Sequence, residues 1–320
     1  MIISVIIPTF NRSDMLRQAI TAVCEQTLSR DQYELVIADN ASTDDTRSTI
    51  AEFNKNTSIN IKYVYESRPG LHWARHAGAR AAQGKILVFI DDDCLPEPAW
   101  LANLVQAYEE FKPDAAGGKI LIRWNQPPPS WVVAYESVLG RLDRGPQTHF
   151  IKSKGCIHGG NFSILRDRLF EIGGFNPDQV GDHLLGDGET GLCRKIHAAG
   201  WKMLWVPSAM VWHQQTVERN GTLSDLKRRF ANNGNGDAYA YYRRTNSRRR
   251  HLLRCCIKAF QQMTRHGILA LLMRSSHNNA YYHHALKAAY FAAKGRYCWR
   301  LIWSTKLRQM VMRKDWITES

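Results

Sequence analysis

Residues 85–93 read KILVFIDDD, an apolar run that ends in three consecutive aspartates. A short, fully apolar run rich in β-branched residues is typical of a strand buried on both faces of a sheet. At its end, Asp91, Asp92 and Asp93 repel one another and lose solvation, which raises carboxylate pKa values unless a cation compensates. The stretch therefore predicts a buried strand with a divalent-metal site, for Mg²⁺ or Mn²⁺, at its carboxyl end. The alternative is a solvated acidic turn, or the N-cap of a helix that begins near Pro98.

Around this strand, the first 120 residues alternate short apolar runs with helical patterns, which indicates a parallel sheet covered by helices. The patterns predict strands at 4–7, 33–38, 61–65 and 85–90, and helices at 14–24, 44–53 and 71–82. Polar residues follow three of these strands, at 8–12, 39–43 and 91–93. Ligands of open α/β sheets bind outside the carboxyl ends of the strands, so we expect these polar segments to converge on one crevice.

Beyond residue 120 the sequence divides into two parts. A proline-rich stretch at 126–129 precedes a mixed region that we assign to the same domain. Beyond residue 222 the pattern is basic and helical, with Leu253, Ile257, Phe260 and Met263 on one helix face. We therefore expect an α/β domain over 1–222, divided at about residue 120, and a basic amphipathic helical region over 223–320.

Composition limits the compartment and the partners. The chain has 320 residues with 44% hydrophobic content, enough for a large core, and its seven scattered cysteines indicate reduced thiols in the cytoplasm. The N-terminus lacks the features of a signal peptide, and no apolar run approaches the roughly 20 residues that span a bilayer. The net charge is +14, yet from Arg219 onward 21 lysines and arginines face only four acids. The last third is therefore expected to bind an anionic partner.

Three interpretations of the basic region stay open. Basic residues beside apolar helix faces, with Trp299 and Trp303, favour the interface of an anionic bilayer, which would place the protein at the inner face of the cell membrane. Nucleic-acid binding is the second interpretation, but the sequence contains no recognised nucleic-acid motif, so we expect no nucleic-acid partner. The third is a set of ordinary helices packed on the α/β domain.

Several short motifs occur one after another along the chain. Asp39 follows an apolar run directly and should point into the crevice, where it can accept the imide N–H of a pyrimidine base, whereas helix capping accounts for Thr43 or Asp44. Later motifs are GGNF at 159–162, GGF at 173–175 and WVP at 205–207, which leads to His213. Together with the polar strand ends, these motifs resemble the family 2 glycosyltransferases with the GT-A fold, over roughly residues 3–230.

The resemblance implies a fold and a donor site. The fold is a Rossmann-like mixed sheet flanked by helices, with a nucleotide-binding half at about 1–120 and an acceptor half at about 121–222. Arg75 would steady Asp39 or the donor phosphates, and Arg228 and Arg229 would reach the diphosphate or form a solvated basic face. The implied nucleoside pocket consists of Pro8, Thr9, Phe10, Asn11, Arg12, Asp39 and Asn40.

The resemblance also implies the metal site and the catalytic base. Asp93 is the expected ligand of Mn²⁺ or Mg²⁺, with Asp91 beside it and Asp92 nearer the ribose or donor sugar. His213 would complete the metal site, touch the diphosphate or be structural. Glu189 takes the place of the family's base, but because the usual Glu-Asp pair is absent here, Asp187 stays open as the alternative. Gly160 and Asn161 would lie on the acceptor side, although Asn also suits a glycine-rich loop.

The implied activity is an inverting, metal-dependent transfer of one sugar from a nucleotide-diphosphate sugar to an acceptor hydroxyl. The family's usual donor is a UDP-sugar. The acceptor would be a sugar or a lipid-linked saccharide of cell-surface polysaccharide or glycolipid assembly. The Gln-x-x-Arg-Trp signature of processive synthases is absent, which favours single transfer. The alternatives are a nucleotidyltransferase that makes a nucleotide-sugar and a non-catalytic nucleotide-sugar binding protein.

Overall fold

The computed structural model describes residues 2–152, 155–180, 183–184, 186–276 and 278–318. The predicted alternation of strands and helices in the first 120 residues is confirmed, with boundaries that differ by a few residues. The strands are β1 (Ile3–Thr9), β2 (Tyr33–Asp39), β3 (Asn60–Tyr65), β4 (Ile86–Phe89), β5 (Cys94–Pro96), β6 (Ala115–Trp124), β7 (His149–Phe150), β8 (Phe162–Leu165), β9 (Gln179–Val180), β10 (His183–Leu184) and β11 (Met203–Gln215).

Helices cover both faces of the sheet and form the C-terminal region. They are α1 (Ser13–Cys24), α2 (Thr46–Asn56), α3 (Leu71–Ala81), α4 (Trp100–Phe111), α5 (Ser130–Val133), α6 (Arg166–Glu171), α7 (Gly188–Ala198), α8 (Val217–Asn220), α9 (Leu223–Thr245), α10 (Arg249–Leu272), α11 (Asn279–Trp303) and α12 (Thr305–Met312). No helix among the described residues has the length and apolar character that a membrane crossing requires.

The main sheet is mixed. Its strand order is β3-β2-β1-β4-β8-β6-β11-β5, and β7 pairs with β11 as well. The first four strands run parallel, β8 runs antiparallel to both of its neighbours, and β6 and β11 run parallel to each other. This is the predicted mixed α/β sheet flanked by helices. Because β1, β2 and β4 are parallel neighbours, their polar carboxyl ends meet at one edge of the sheet.

Two cores form on the two faces of the sheet. Alternate residues of a strand point to opposite faces, so Val5 and Ile7 pack with α1 and α4, whereas Ile6 packs with α3 and α7. At Gly78 a Cβ atom would come within 2.5 Å of the Ile6 side chain, so glycine allows α3 to lie directly on β1. Nearly all of α3 is buried as a result.

The C-terminal helices pack on the far side of α3. Thr222 and Asp225 form a capping box that starts α9. Helices α9, α10 and α11 pack together, and Trp73 of α3 joins their core. After α12 the chain returns to the α/β domain, where Trp316 and Ile317 are buried. The basic region is therefore helical, as predicted, and is joined to the α/β domain through α3.

Candidate active site

A cleft of about 840 Å³ lies outside the carboxyl ends of β1, β2 and β4. The predicted convergence of the polar strand ends on one crevice is thus confirmed. Phe10 is 55% exposed at the cleft, while Asn11 has a left-handed backbone (φ 51°) and its Oδ1 accepts a hydrogen bond from the Thr43 N–H at 2.7 Å. The predicted residues that line the cleft are Pro8, Thr9, Phe10, Asn11, Arg12, Asn40, Asp91, Asp92, Asp93 and His213.

The acidic triplet is compensated in part by the protein itself. Arg12 Nη1 lies 2.8 Å from Asp92 Oδ1 and 2.9 Å from Asp93 Oδ2, and the Thr9 hydroxyl donates to Asp92 at 2.8 Å. Burial raises the pKa of Asp92 to about 6 against the lowering effect of Arg12. Burial also disfavours ionisation of Asp93, but the charge and hydrogen bond of His213 lower the pKa of Asp93 to about 2. Asp93 is therefore the anionic member that is best prepared to bind a cation.

Asp93 and His213 form a candidate metal site. His213 Nε2 lies 3.2 Å from Asp93 Oδ1, and the Cys94 sulfur belongs to the same group, whose ligand atoms lie within 4.8 Å of one another. Burial raises the pKa of the Cys94 thiol, and a thiol is a softer ligand than Mn²⁺ or Mg²⁺ prefers. A carboxylate and an imidazole fit Mn²⁺ or Mg²⁺ when phosphate oxygens and water complete the shell.

Asp91 pairs with a buried arginine. Its Oδ1 accepts a hydrogen bond from Arg75 Nη2 at 2.7 Å, and it is absent from the group of possible metal ligands around Asp93. Arg75 is only 1% exposed, and its second partner is Glu189, at 3.7 Å. The prediction that Arg75 steadies Asp39 or the donor phosphates is corrected by this placement, because the guanidinium is buried between two other carboxylates. Asp91 as a metal ligand stays a prediction: its Oδ1 is paired with Arg75, and its side chain is 27% exposed at the cleft.

Glu189 and Asp187, the two candidate bases, lie in different surroundings. The Asp187 side chain is 5% exposed and bonds to Asn176 at 2.7 Å and Arg194 at 2.6 Å, so it fixes the start of α7. The Glu189 side chain is 31% exposed and lies 3.5 Å from His72 Nε2. Burial opposes its ionisation, but the hydrogen bond from His72 and the charge of Arg75 lower the pKa of Glu189. Of the two, Glu189 is the accessible carboxylate and is held ionised.

Asp39 and Asn40 organise the loops around the cleft. Asp39 is 2% exposed, and its carboxylate accepts hydrogen bonds from the Ser42 N–H and the Tyr63 hydroxyl, both at 2.9 Å. The Asn40 amide bonds to backbone groups of Glu66, Arg68 and Gly70. Their position at the tip of β2 agrees with the prediction. A carboxylate can accept more than two hydrogen bonds, so Asp39 can still accept one from a nucleobase in addition to its two intramolecular bonds.

Asn161 is part of the fold rather than of an acceptor surface. It is 1% exposed, its Nδ2 donates to the carbonyls of Ala209 at 2.7 Å and Lys119 at 3.1 Å, and its Oδ1 accepts from the Trp100 indole at 2.9 Å. The predicted acceptor-side contact is corrected, since the amide is fully used inside the protein. Gly160 lies beside Asp91, where an added Cβ would be 3.2 Å from the carboxylate.

Sequence reasoning missed His72 and Asp178. His72 Nδ1 lies 3.0 Å from Asp178 Oδ1. Burial opposes the charged form of His72, but Asp178 and the hydrogen bond with Glu189 together raise the His72 pKa. Asp178, His72, Glu189, Arg75 and Asp91 thus form a continuous chain of charged and polar groups. The signal in the sequence was the spacing of His72 and Arg75, which places both on one face of α3.

A basic pocket of about 200 Å³ adjoins the candidate metal site. It is lined by Arg12, Asp93, Arg219, Arg228 and Arg229 among others. In the described part of the chain, neither Arg219 nor Arg229 has an ion-pair partner, and Arg229 bonds instead to the neutral Asn220 amide at 3.0 and 3.1 Å. The predicted basic residues Arg228 and Arg229 therefore lie next to Asp93, and Arg219 joins them.

Comparison with known proteins connects this geometry to a family. The family model "Glycosyl transferase family 2" matches residues 4–173. Among curated proteins, glycosyltransferase AglE of Haloferax volcanii is 24% identical over 211 residues, which cover 66% of each chain. The glucosyl-dolichyl phosphate glucuronosyltransferase of the same organism is 27% identical over 220 residues, covering 66% of this chain and 69% of that protein. The chain thus spans about two thirds of the length of these two relatives.

Solved structures share the architecture. A mannosyltransferase from Pyrobaculum calidifontis, solved with GDP-Man and Mn²⁺, aligns with a TM-score of 0.55 and 24% identity over 72% of this chain and 61% of that one. S. aureus TarS, solved with UDP-GlcNAc, aligns with a TM-score of 0.53 and 14% identity over 93% and 91%. At these identities the likeness establishes the GT-A fold.

Proposed function

This chain belongs to the family 2 glycosyltransferases, and we propose that it transfers a single sugar, with inversion, from a nucleotide-diphosphate sugar to an acceptor hydroxyl in a metal-dependent reaction. The observation that carries the proposal is the arrangement at one sheet edge of a paired carboxylate and imidazole, Asp93 and His213, beside Arg219 and Arg229, which have no ion-pair partner among the described residues. This combination of metal-binding and cationic side chains suits a diphosphate. The accessible, ionised Glu189 supplies the base.

The proposed reaction begins with donor binding in the cleft. Exposed Phe10 offers an aromatic surface for the base, and the ends of β1 and β2 enclose the nucleoside. Arg219 and Arg229 pair with the diphosphate and offset the charge that it gains on leaving. When bound by Asp93 and His213, Mn²⁺ or Mg²⁺ supplies Lewis-acid neutralisation of that same charge.

The base step assigns a role to the chain of groups behind Glu189. The Glu189 carboxylate accepts the proton of the acceptor hydroxyl as its oxygen bonds to the anomeric carbon, and the bond from that carbon to the diphosphate breaks. Arg75 and His72 keep Glu189 ionised and fix its orientation, while Asp178 orients His72. His72 and Arg75 both lie on α3, a largely buried helix.

The finer identity of donor and acceptor is proposed from the relatives. We propose a UDP-sugar donor, since one structural neighbour is solved with UDP-GlcNAc, although another is solved with GDP-Man. We propose a lipid-linked saccharide acceptor of cell-surface glycan assembly, because one relative is named for acting on a glucosyl-dolichyl phosphate. With such an acceptor, we propose that the reaction takes place at the cytoplasmic face of the cell membrane.

Thermal unfolding with a panel of nucleotide-sugars, with and without Mn²⁺, tests the proposal. A bound donor raises the apparent melting temperature by mass action, so the cognate donor should do so only with the metal present. Asp93→Asn should abolish the metal-dependent rise, and the exposed Asp31→Asn should preserve it. An equal rise without metal would contradict the metal assignment. Release of pyrophosphate from a nucleoside triphosphate would indicate nucleotidyl transfer and contradict glycosyl transfer.

A further inference from the structure

The helical region combines an extreme charge bias with exposed apolar side chains. Between residues 238 and 314 there are 17 lysines and arginines and not one aspartate or glutamate. Among the described residues, nine of the fourteen exposed large hydrophobic side chains lie in this same region. Ordinary packing helices bury their apolar face, so this pattern calls for a partner that is both anionic and apolar.

The exposed apolar residues of α10 lie on one face of the helix. Their spacing of four, three, eight and three residues follows the helical repeat and extends for about 27 Å. The buried residues Leu252, Cys256 and Ala259 lie on a different face, which packs in the helical core or beside it. The residues of this exposed stripe are Leu253, Ile257, Phe260, Ile268 and Leu271, and the neighbouring Leu272 is 73% exposed.

Two tryptophans of α11 extend the stripe. The Phe260 ring lies against Gly295, where an added Cβ would be 3.3 Å from the ring. Trp299 and Trp303 follow Gly295 by one and two helical turns, so they continue along the same side of α11. They are 49% and 65% exposed, and their rings are in contact, with centroids 5.6 Å apart. Tryptophan is the residue that membrane–water interfaces favour.

A row of cations borders the stripe. Arg250, Arg254, Lys258 and Arg265 are all exposed, and their spacing of four, four and seven residues places them on the adjoining face of α10. We propose that this surface, formed by the α10 stripe, its cationic border and the two tryptophans, lies in the headgroup region of an anionic lipid bilayer. Apolar side chains enter the acyl boundary while the cations meet lipid phosphates.

The apolar content decides between a bilayer and a nucleic acid. A nucleic-acid surface would present cations with polar or stacking groups, whereas aliphatic Leu271 and Leu272, 69% and 73% exposed, gain nothing from a phosphate backbone. Both lie in the last turn of α10, at the tip of the hairpin that α10 forms with α11. The tip is therefore the part that penetrates most deeply. This inference concerns a surface outside the cleft and does not depend on the proposed sugar transfer.

Vesicle sedimentation of the full chain tests the inference. The wild-type protein should sediment with vesicles of phosphatidylglycerol and phosphatidylcholine, much less with phosphatidylcholine alone, and more weakly as the salt concentration rises. The double variant Leu271→Glu with Leu272→Glu should reduce partitioning by about tenfold or more, since it removes inserted apolar groups and adds charge. Trp303→Ala should reduce it less, and Val133→Glu, at a site with 50% exposure on α5, should leave it unchanged.

Four other outcomes would contradict the proposed membrane-binding surface. Equal binding to neutral vesicles, no binding to either kind, or full binding by the double variant would overturn it. If the protein bound nucleic acid with the same salt dependence, and the leucine variants did not weaken that binding, the basic surface would be a nucleic-acid site instead. Because these variants leave the cleft intact, the donor-induced rise in melting temperature should persist in all of them. Loss of vesicle binding is thereby distinguished from failure of the proposed transfer.

Discussion

At the scale of single residues, the distinction between Glu189 and Asp187 rests on what each carboxylate contacts. Both are acidic, both lie at the start of α7, and only one is free to meet a substrate. Glu189 faces His72 and Arg75 with 31% of its side chain exposed, whereas Asp187 is 5% exposed and occupied by Asn176 and Arg194. A proton acceptor must reach the acceptor hydroxyl, so accessibility assigns the role to Glu189.

Glu189→Gln tests that assignment. Glutamine keeps the shape but cannot accept a proton, so we expect turnover to fall by about 100-fold or more while donor affinity changes little. Single-turnover rates and donor titrations with Mn²⁺ present would separate the two effects. Asp187→Asn, the matched control, should retain turnover and lose some stability. If Asp187→Asn lost turnover and Glu189→Gln retained it, Asp187 would be the base instead.

His76 gives the fold a defined sensitivity to acid. It is fully buried, its Nε2 accepts a hydrogen bond from the Phe175 N–H at 2.9 Å, and its Nδ1 has no partner among the described residues. Burial, together with the positive charges of His72, Arg80, Lys195 and Arg68, lowers the His76 pKa well below its usual value. Below pH 6.5 the unfolded chain binds a proton there and the folded chain does not. The free energy of unfolding therefore decreases as the pH falls.

The expected slope from His76 is about 1.4 kcal/mol per pH unit below pH 6.5, down to the folded pKa. His76→Gln keeps an acceptor for the Phe175 N–H but cannot titrate. Urea unfolding at pH 7.5 and 5.5 should show a smaller loss of stability in this variant than in the wild type. The exposed His149→Gln should match the wild type, and equal slopes in all three proteins would exclude His76 as the source.

At the scale of elements, the first four strands were predictable, whereas the later strands and the contacts between distant segments were not. The apolar run at 86–89 has one reasonable interpretation, a buried strand, and polar strand ends meet wherever parallel strands are adjacent. The two-residue strands β7, β9 and β10 were missed because their pattern is too short for periodicity to be seen. The contact of His72 with Glu189 joins residues 117 positions apart, and only the packing of α7 on α3 creates it.

Asn161 shows how a motif in a family of enzymes can be structural. The parallel pair β6 and β11 changes register between Val206 and Val211, and the carbonyls of Lys119 and Ala209 lie within this irregular stretch. The Asn161 amide bonds to both and to the Trp100 indole. Gly117 of β6 allows this close approach, since a Cβ there would lie 2.4 Å from the Asn161 carbonyl oxygen. The motif therefore closes the sheet across a β-bulge.

Asn161→Ala should accordingly reduce stability and leave the chemistry of correctly folded molecules intact. Three buried groups lose their partner, which costs roughly 2–4 kcal/mol. Urea unfolding measures the loss, and turnover normalised to folded protein should stay within about threefold of the wild type. Asn103→Ala, which removes a single bond to the Ser208 carbonyl near the surface, should cost about 1 kcal/mol or less. If Asn161→Ala kept the stability of the wild type and raised the KM for the acceptor, Asn161 would be an acceptor-binding residue after all.

At the scale of the whole molecule, α3 connects the catalytic cleft to the helical region. It carries His72 and Arg75 towards the cleft, and Trp73 towards the C-terminal core. Sequence composition predicted a boundary near residue 222, because the charge changes sign there. Composition could not reveal that the chain after α12 returns to the sheet, where Ile317 joins the second core and accepts a hydrogen bond from Arg80.

This arrangement predicts that the α/β domain and the helical region unfold as one cooperative unit. Trp316 is 1% exposed, its ring lies 5.9 Å from that of Trp73, and its backbone N–H donates to the Gly173 carbonyl at 3.0 Å. Trp316→Ala should cost about 3–5 kcal/mol and keep a single transition in urea, because the indole belongs to a core that both regions share. Circular dichroism and donor binding should be lost at the same urea concentration. The control Trp303→Ala removes an indole that is 65% exposed, so it should cost far less stability. If Trp316→Ala instead gave two separate transitions, with only that of the helical region shifted, α3 would not couple the two regions.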